Sequence, residues 1–261
     1  MQAQFNKSGR LPGGGGDGYK PAKPRIRLPA RTIVAAAIIV LVVPALIALG
    51  MAVLGDRKYY FISLLIILCA LLPFVMIFEQ RRPQAREIVI IAILAAIAVA
   101  GRSVAFMLPE FKPVIALVII TGVCFGGEAG FLVGAVTGFV SNFFFGQGPW
   151  TPWQMFSFGI IGFLAGLLFA RGLLQPKKTA LCVFGAISAF FIYGGIMDTA
   201  SVLIFQGHFN WGLLLASYAA GLGFNAIHAL STVVFLLLLS GPMIEKLERI
   251  KIKYGLIKPK L

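Results

Sequence analysis

Acidic side chains, histidines and cysteines are scarce in this chain of 261 residues. It has 9 Asp and Glu, 2 His and 3 Cys, and it lacks His-Glu-x-x-His, Gly-x-Ser-x-Gly and Walker sequences. No predicted helix carries two carboxylates at close spacing. Metal-assisted hydrolysis, serine hydrolysis and ATP hydrolysis by the chain itself therefore have little support. We expect no enzyme, no metal site and no cofactor.

The few cysteines and histidines also lack the spacing of a ligand set. Cys69, Cys124 and Cys182 all fall inside apolar runs and form no Cys-x-x-Cys pair. Such cysteines are typical of small core thiols, so no disulfide is expected. Neither His208 nor His228 has a metal-ligand partner nearby in the sequence. We interpret His228 as a hydrogen-bonded core histidine.

Apolar side chains are abundant instead. They make up 59% of the chain against 12% charged residues, with a mean hydropathy of +0.93. A soluble fold of this length would leave much of that surface exposed, so lipid must be the solvent. The net charge of +14 raises the question of nucleic acid. Lys and Arg cluster between the apolar runs, however, which favours a membrane protein that binds no nucleic acid.

The apolar runs predict an all-α, polytopic membrane protein with eight transmembrane helices. The predicted spans are 32–54, 59–78, 88–108, 113–125, 129–145, 154–170, 179–205 and 211–239. They divide the chain into a basic tail (1–31), a transmembrane hairpin (32–78), a charged linker (79–87), a six-helix module (88–239) and a second basic tail (240–261). The first tail is rich in Gly and Pro, has no signal-peptide core and is predicted to be disordered.

The distribution of basic residues predicts the orientation. With the N-terminus inside, 19 of the 23 Lys and Arg fall in cytoplasmic segments. The positive-inside rule therefore predicts that both termini are cytoplasmic, in the cell membrane. The loop Gly146–Gln154 then lies outside the cell, where Trp150 and Trp153 offer rigid aromatic surface and two prolines restrict the backbone. An interfacial aromatic belt without ligand contact is the alternative.

Polar side chains within apolar runs require a reason, because lipid solvates them poorly. The residues that could converge beneath the loop into a substrate-binding pocket are Arg102, Asn142, Gln147, Gln154, Asp198 and Asn225. We expect Trp150 and Trp153 to complete that pocket. A structural ion pair between Asp198 and Arg102 is the alternative.

Small residues form two stripes that allow helices to approach closely. Gly126, Gly130, Gly134 and Gly138 recur every four residues, and this pattern favours ordinary helix packing in lipid. Ala92, Ala96 and Ala100 form a second stripe on the third span. On spacing alone, that stripe fits either packing within the chain or contact with a partner membrane subunit.

From about Arg86 to Leu239 the chain resembles an S component of an energy-coupling factor (ECF) transporter. Four features carry the resemblance. They are the charged cytoplasmic segment before the third span, the alanine stripe, the short Gly126-Gly127-Glu128 hairpin and the segment Phe145–Met155. The resemblance implies a subunit that binds a vitamin or related micronutrient outside the cell. It also implies delivery by toppling of the subunit in the membrane, with a T component and two ATPases. The segment Phe145–Met155 most resembles S components assigned to cobalamin or to no substrate.

The resemblance further implies that Ala92, Ala96 and Ala100 face the T component, and that the outer loops and last three helices build the site. The first 78 residues depart from the six-span family pattern. Three other functions stay open: a stand-alone channel or ion-coupled carrier, a membrane enzyme that uses Asp198 and His228 as acid and base, and a purely structural assembly subunit.

Overall fold

A computed structural model describes residues 85–104, 107–205 and 210–255. The described residues contain helices and no strand, which confirms the all-helical prediction for this part of the chain. In chain order, the α-helices are α1 (Ala85–Val104), α2 (Val114–Phe125), α3 (Gly127–Phe145), α4 (Thr151–Ala165), α5 (Lys178–Ile187), α6 (Gly194–Phe205) and α7 (Trp211–Lys253). Two π-helical segments, Gly166–Ala170 and Ser188–Tyr193, extend α4 and join α5 to α6. The two predicted N-terminal spans lie outside the described residues.

Five helical stretches in the described part are long and apolar enough to cross a membrane. They are Ala85–Val104, Gly127–Phe145, Thr151–Ala170, Lys178–Phe205 and Trp211–Lys253. The short apolar helix Val114–Phe125 lies where the sequence predicted a short span. Apolar helices satisfy their own backbone groups, so they are the expected solution for such runs in lipid. The chain is therefore a multi-pass membrane protein.

The glycine stripe brings α2, α3 and α4 into close contact. A Cβ added at Gly134 would lie 2.5 Å from the backbone carbonyl carbon of Phe158, and one at Gly138 would lie 3.0 Å from Cα of Met155. Gly130 and Gly162 approach each other through their backbones. The stripe therefore packs within the chain, as its spacing favoured. Between α2 and α3, Gly126 has a φ of 94°, a conformation that favours glycine.

Helix α4 begins earlier than the sequence predicted. The predicted loop ran to Gln154, but the structure has helix from Thr151 onwards. Pro152 explains the difference, because its fixed φ and missing N–H suit the first turn of a helix. The loop therefore comprises only 146–150, and Trp153 belongs to a helix.

Helix α7 runs past the predicted end at Leu239. Its 43 residues give a length of about 65 Å, far more than the ~30 Å hydrocarbon core of a membrane. Its first part packs against α5 and α6, where Gly221 lies against Asp198. Its last part packs beside α1 and α2 through the buried Leu247. The helix therefore continues after Pro242. The charges of this stretch had predicted a basic tail instead.

Candidate functional site

A buried arginine anchors the first polar cluster. Only 7% of Arg102 is exposed, and its Nη1 donates hydrogen bonds to Ser141 Oγ and, at 2.9 Å, to Asn142 Oδ1. The guanidinium carbon lies 4.5 Å from the centroid of the Phe145 ring. A cation over an aromatic face is stabilised by the ring quadrupole. These contacts join the ends of α1 and α3.

The same cluster continues into the loop before α4. Asn142 Nδ2 donates to Thr151 Oγ1 at 2.9 Å, and Thr151 Oγ1 donates to Gln147 Oε1 at 2.9 Å. The backbone N–H of Gly148 also donates to Thr151 Oγ1, at 3.2 Å. Arg102, Asn142 and Gln147, three residues predicted from the sequence, therefore do come together. Thr151 joins them, and sequence reasoning did not select it.

A second cluster surrounds Tyr193. Gln154 Nε2 donates to the Tyr193 hydroxyl at 2.9 Å. The Tyr193 ring stacks on the Phe158 ring with 4.9 Å between centroids, and it lies nearly perpendicular to the His228 ring with 4.6 Å between centroids. His228 Nδ1 lies 3.4 Å from a carboxylate oxygen of Glu110, close enough for charge interaction but outside hydrogen-bond geometry.

Several polar atoms of this second cluster are buried without a partner among the described residues. They are Gln154 Oε1, His228 Nδ1 and His228 Nε2. His228 is a core histidine, as expected, but neither of its ring nitrogens hydrogen-bonds to a described residue. Buried polar groups in proteins are nearly always paired with protein, water or ligand. Water or a bound solute can satisfy these atoms.

A third cluster lies between α6 and α7. Asn225 Nδ2 donates to Asp198 Oδ2 at 2.8 Å, and Thr199 Oγ1 lies 3.0 Å from the Tyr218 hydroxyl. Beside it is a cavity of about 330 Å³. Aromatic, aliphatic and polar side chains line this cavity, among them Phe190, Phe191, Asp198, Tyr218, Leu222 and Asn225. Asp198 and Asn225 thus meet each other but do not hydrogen-bond to Asn142 or Gln147.

The structure does not form the alternative pairs considered from the sequence. Arg102 bonds Ser141 and Asn142, while Asp198 bonds Asn225, so the proposed ion pair between Arg102 and Asp198 is absent from the described contacts. His228 makes no hydrogen bond to Asp198 among these residues. The acid–base pair that a membrane enzyme would need is therefore not assembled here.

The two tryptophans of the Gly146–Gln154 segment differ in environment. Trp150 is half-buried at the start of α4, where its ring covers Gly148. Trp153 is 5% exposed and packs in a core cluster with Phe131 and Phe156. Only Trp150 therefore offers surface at the loop, while Trp153 supports the helix beneath it.

Loop 107–112 covers the second cluster from one side. Ser231 Oγ donates to the backbone carbonyl of Lys112 at 3.0 Å, and the Phe111 ring lies 5.6 Å from that of Phe235. Lys112 Nζ is 4.7 Å from the centroid of the Phe145 ring. Burial lowers the pKa of Lys112, while Glu110 acts in the opposite direction. The loop is thereby tied to both α7 and α3.

The alanines of the second stripe lie on a surface of the described bundle. Ala92, Ala96 and Ala100 are all exposed, as are the neighbouring Ile93 and Ile97. The described helices therefore do not use this stripe for packing among themselves. A groove of about 400 Å³ between α1 and the end of α7 adjoins it.

These features define a polytopic helical membrane protein with three clusters of polar side chains between its helices. The sequence model of the family described as "ECF-type riboflavin transporter, S component" matches residues 83–243. The chain belongs to this family of ECF transporter S components, which are transporter subunits and not enzymes. Such components work with a T component and ATPases on small-molecule substrates.

Curated relatives carry less specific names. The chain is 32% identical over 125 residues to a UPF0397 protein of Vibrio atlanticus (strain LGP32), with 45% of this chain and 68% of that protein covered. It is 30% identical over 157 residues to a UPF0397 protein of Aliivibrio fischeri (strain MJ11), with 58% and 73% covered. No solved structure matches the chain significantly.

Proposed function

We propose that the chain is the substrate-binding subunit of an ATP-driven micronutrient importer in the cell membrane, with both termini cytoplasmic. It captures its solute outside and delivers it with a T component and two ATPases. The observation that carries this proposal is the buried polar cluster of Arg102, Asn142 and Thr151, held beneath the loop in a chain of the S-component family. Buried, fixed polar groups with apolar walls are typical of small-molecule sites.

The eight side chains selected from the sequence divide into different roles in this proposal. Arg102, Asn142 and Gln147 hold the loop in place, and Trp150 forms its aromatic surface. Gln154 supplies a hydrogen-bonding group from α4, while Asp198 and Asn225 do so at the neighbouring cavity. Trp153 fixes the start of α4 by packing. Because the groups are ordered before binding, less entropy is lost when the solute binds.

The size of the cavity beside the third cluster favours a vitamin with a small aromatic ring system. The cavity beside Asp198 measures about 330 Å³, near the lower end of the range for small-molecule pockets. The loop sequence favoured cobalamin, whose corrin ring and nucleotide are much larger than this cavity. The matching family is named for riboflavin, whose flat ring is closer in size. We therefore propose a riboflavin-sized substrate, with cobalamin as the alternative to be tested beside it.

The exposed alanine stripe supports a partner-binding face. Small side chains at Ala92, Ala96 and Ala100 let another helix approach closely. We propose that the T component docks there and that the energy of ATP hydrolysis reaches this chain through that contact.

Uptake by proteoliposomes tests the transport role. We expect labelled vitamin to accumulate only when the full chain is reconstituted with a T component, two ATPases and ATP. Accumulation by the chain alone would instead establish the stand-alone channel or carrier. An assembly that transports equally well without this chain would indicate a structural subunit.

A further inference from the structure

A carboxylate lies in the apolar helix α6 without a cation beside it in the described part of the chain. Asp198 is the charged residue of this helix. Its carboxylate accepts a hydrogen bond from Asn225 Nδ2, and no described Lys, Arg or His forms an ion pair with it. Charged groups in membrane segments are unfavourable unless they are paired or line a functional cavity. The described residues therefore leave the charge of Asp198 unbalanced.

The polar neighbours of Asp198 do not replace a cation. Thr199 Oγ1 donates to the backbone carbonyl of Gly195 at 2.7 Å, so the Tyr218 hydroxyl donates to Thr199 Oγ1 at 3.0 Å. Ser217 Oγ donates to the backbone carbonyl of Asp198 at 3.1 Å and not to its carboxylate. Because a carboxylate has about four acceptor positions, most of those of Asp198 stay open to a ligand.

Two glycines make room for the pair of Asp198 and Asn225 between α6 and α7. A Cβ added at Gly221 would lie 2.5 Å from Asp198 Oδ2, and one at Gly194 would lie 2.5 Å from Asn225 Cγ. A larger residue at either position would therefore displace one member of the pair. The carboxylate is thus placed by the close contact of these two helices and not by an exposed loop.

The cavity beside this pair has the lining that an organic cation needs. It measures about 330 Å³, and the rings of Phe190, Phe191 and Tyr218 line it together with Asp198. The two phenylalanine rings lie 4.8 Å apart between centroids, with their planes at 64°. A positively charged nitrogen is attracted to the face of an aromatic ring, and several rings together recognise quaternary ammonium groups.

We propose that this cavity binds the positively charged nitrogen of an organic cation, with Asp198 as its counter-ion and the aromatic rings around it. This inference rests on the proposed function and adds the charge of the solute to its size. Asn225 is a positioning residue, because its amide holds the carboxylate at 2.8 Å. A neutral solute of the same shape leaves the carboxylate unbalanced, so it should bind more weakly.

Pairs of compounds that differ in one charged atom test the proposal with the full chain in detergent. Thiamine carries a positive ring nitrogen, and 3-deazathiamine has a carbon atom in its place. Choline and 3,3-dimethyl-1-butanol form a second pair of this kind, without rings. By isothermal titration calorimetry at neutral pH, we expect wild type to bind a cation at least about tenfold more tightly than its neutral counterpart.

Variants separate the charge of Asp198 from its structural role. Asp198→Asn keeps the shape of the side chain and should reduce the preference to about twofold or less, whereas Asp198→Glu should retain more of it. Phe191→Leu removes a ring that is 67% exposed and should weaken binding of the cation by about threefold, with less effect on the neutral compound.

A control carboxylate and a folding measurement complete the design. Glu245→Gln neutralises an exposed carboxylate that pairs with Arg249, and it should leave the preference intact. Thermal unfolding of each variant shows whether it is folded. A ratio of two affinities in one folded variant is insensitive to a general loss of binding.

The outcomes distinguish this inference from the function on which it rests. Native mass spectrometry that finds a cationic molecule on wild type and none on folded Asp198→Asn supports it. Equal affinities for a cation and its neutral counterpart, or an unchanged preference in Asp198→Asn, overturn it. A neutral or anionic vitamin released from wild type also overturns it, although the importer function then stands. If wild type binds no small molecule, both fail.

Discussion

At the residue scale, Arg102 places a charged group inside the described bundle. Its charge is nearly buried and is balanced by hydrogen bonds to Ser141 and Asn142 and by the face of Phe145. No single neighbour in the sequence provides these contacts, since they bridge about 40 positions of the chain. The arginine therefore links the loop's polar cluster to the first described helix.

Removing this arginine should destabilise the protein. Arg102→Ala leaves Ser141 and Asn142 buried without their donor, and we expect a loss of about 1.5–3 kcal/mol in the free energy of unfolding. Arg249 is a matched control, because it is exposed and its ion pair among the described residues is with Glu245, one turn away. Arg249→Ala should change stability by about 0.5 kcal/mol or less. Chemical unfolding in detergent measures both, and equal stabilities would contradict the structural role of Arg102.

Lys112 should make stability depend on pH. Burial lowers its pKa in the folded protein below the ordinary value of 10.5. Between those two values the unfolded chain binds more protons than the folded one, so stability rises as pH increases. We expect the thermal midpoint of wild type to rise, relative to that of Lys112→Met, as the pH increases towards the ordinary lysine pKa of about 10.4. Parallel pH profiles of the two proteins would show that Lys112 is not desolvated.

Sequence reasoning found some residues of the site and missed others for a definite reason. Arg102, Asn142 and Gln147 were identified because polar groups in an apolar run are conspicuous. Tyr193 was missed because an aromatic residue in such a run is ordinary, and its bond to Gln154 spans 39 positions. Glu110 was missed because it lies in a loop, where a carboxylate is ordinary.

At the scale of elements, the glycine stripe determines how closely α3 and α4 pack. In Gly134→Ala, the new Cβ would meet the backbone of Phe158 at 2.5 Å, so the helices must separate. We expect a loss of about 1–3 kcal/mol in the free energy of unfolding.

A second glycine provides the control for that substitution. Gly223 lies within α7 with open space around it. Gly223→Ala should be neutral or should stabilise by up to about 1 kcal/mol, because alanine favours helix more than glycine does. If both variants lose the same stability, close packing is not the reason for the stripe.

The alanine stripe should matter for transport but not for binding. Ala96→Trp places a large ring on the exposed face and should reduce ATP-dependent uptake at least about tenfold by blocking the close approach of a partner helix. Vitamin binding by the isolated chain should be unchanged. Ala170→Trp adds the same bulk at another exposed position and should leave uptake near wild type. Loss of binding together with uptake in Ala96→Trp would indicate misfolding instead.

Hydropathy could predict where the helices lie in the chain. It could not predict which face of a helix each residue occupies. The π-helical segment Ser188–Tyr193 shifts the faces of residues on either side of it relative to a regular α-helix. An α-helical projection therefore could not place Tyr193 and Asp198 relative to Gln154. For a related reason the end of α7 was misjudged, since packing of Leu247, and not hydropathy, continues the helix.

At the scale of the whole molecule, composition determined the class of protein. Long runs of apolar residues are expected to form helices in lipid, because helices satisfy their own backbone hydrogen bonds. The described bundle consists of such helices. The arrangement of polar groups into three clusters depends on contacts between distant helices. Neither charge counts nor spacing could supply those contacts, and the predicted N-terminal hairpin lies outside the described residues.

Native mass spectrometry of the purified full chain tests whether it is a substrate-binding subunit. We expect one small molecule of vitamin size bound per chain, identified by its mass after release. We also expect weaker retention in Asn142→Leu, which breaks the polar cluster, than in the control Arg249→Ala. A chain that carries no small molecule, and that binds neither riboflavin nor cobalamin when each is added, would contradict a substrate-binding subunit.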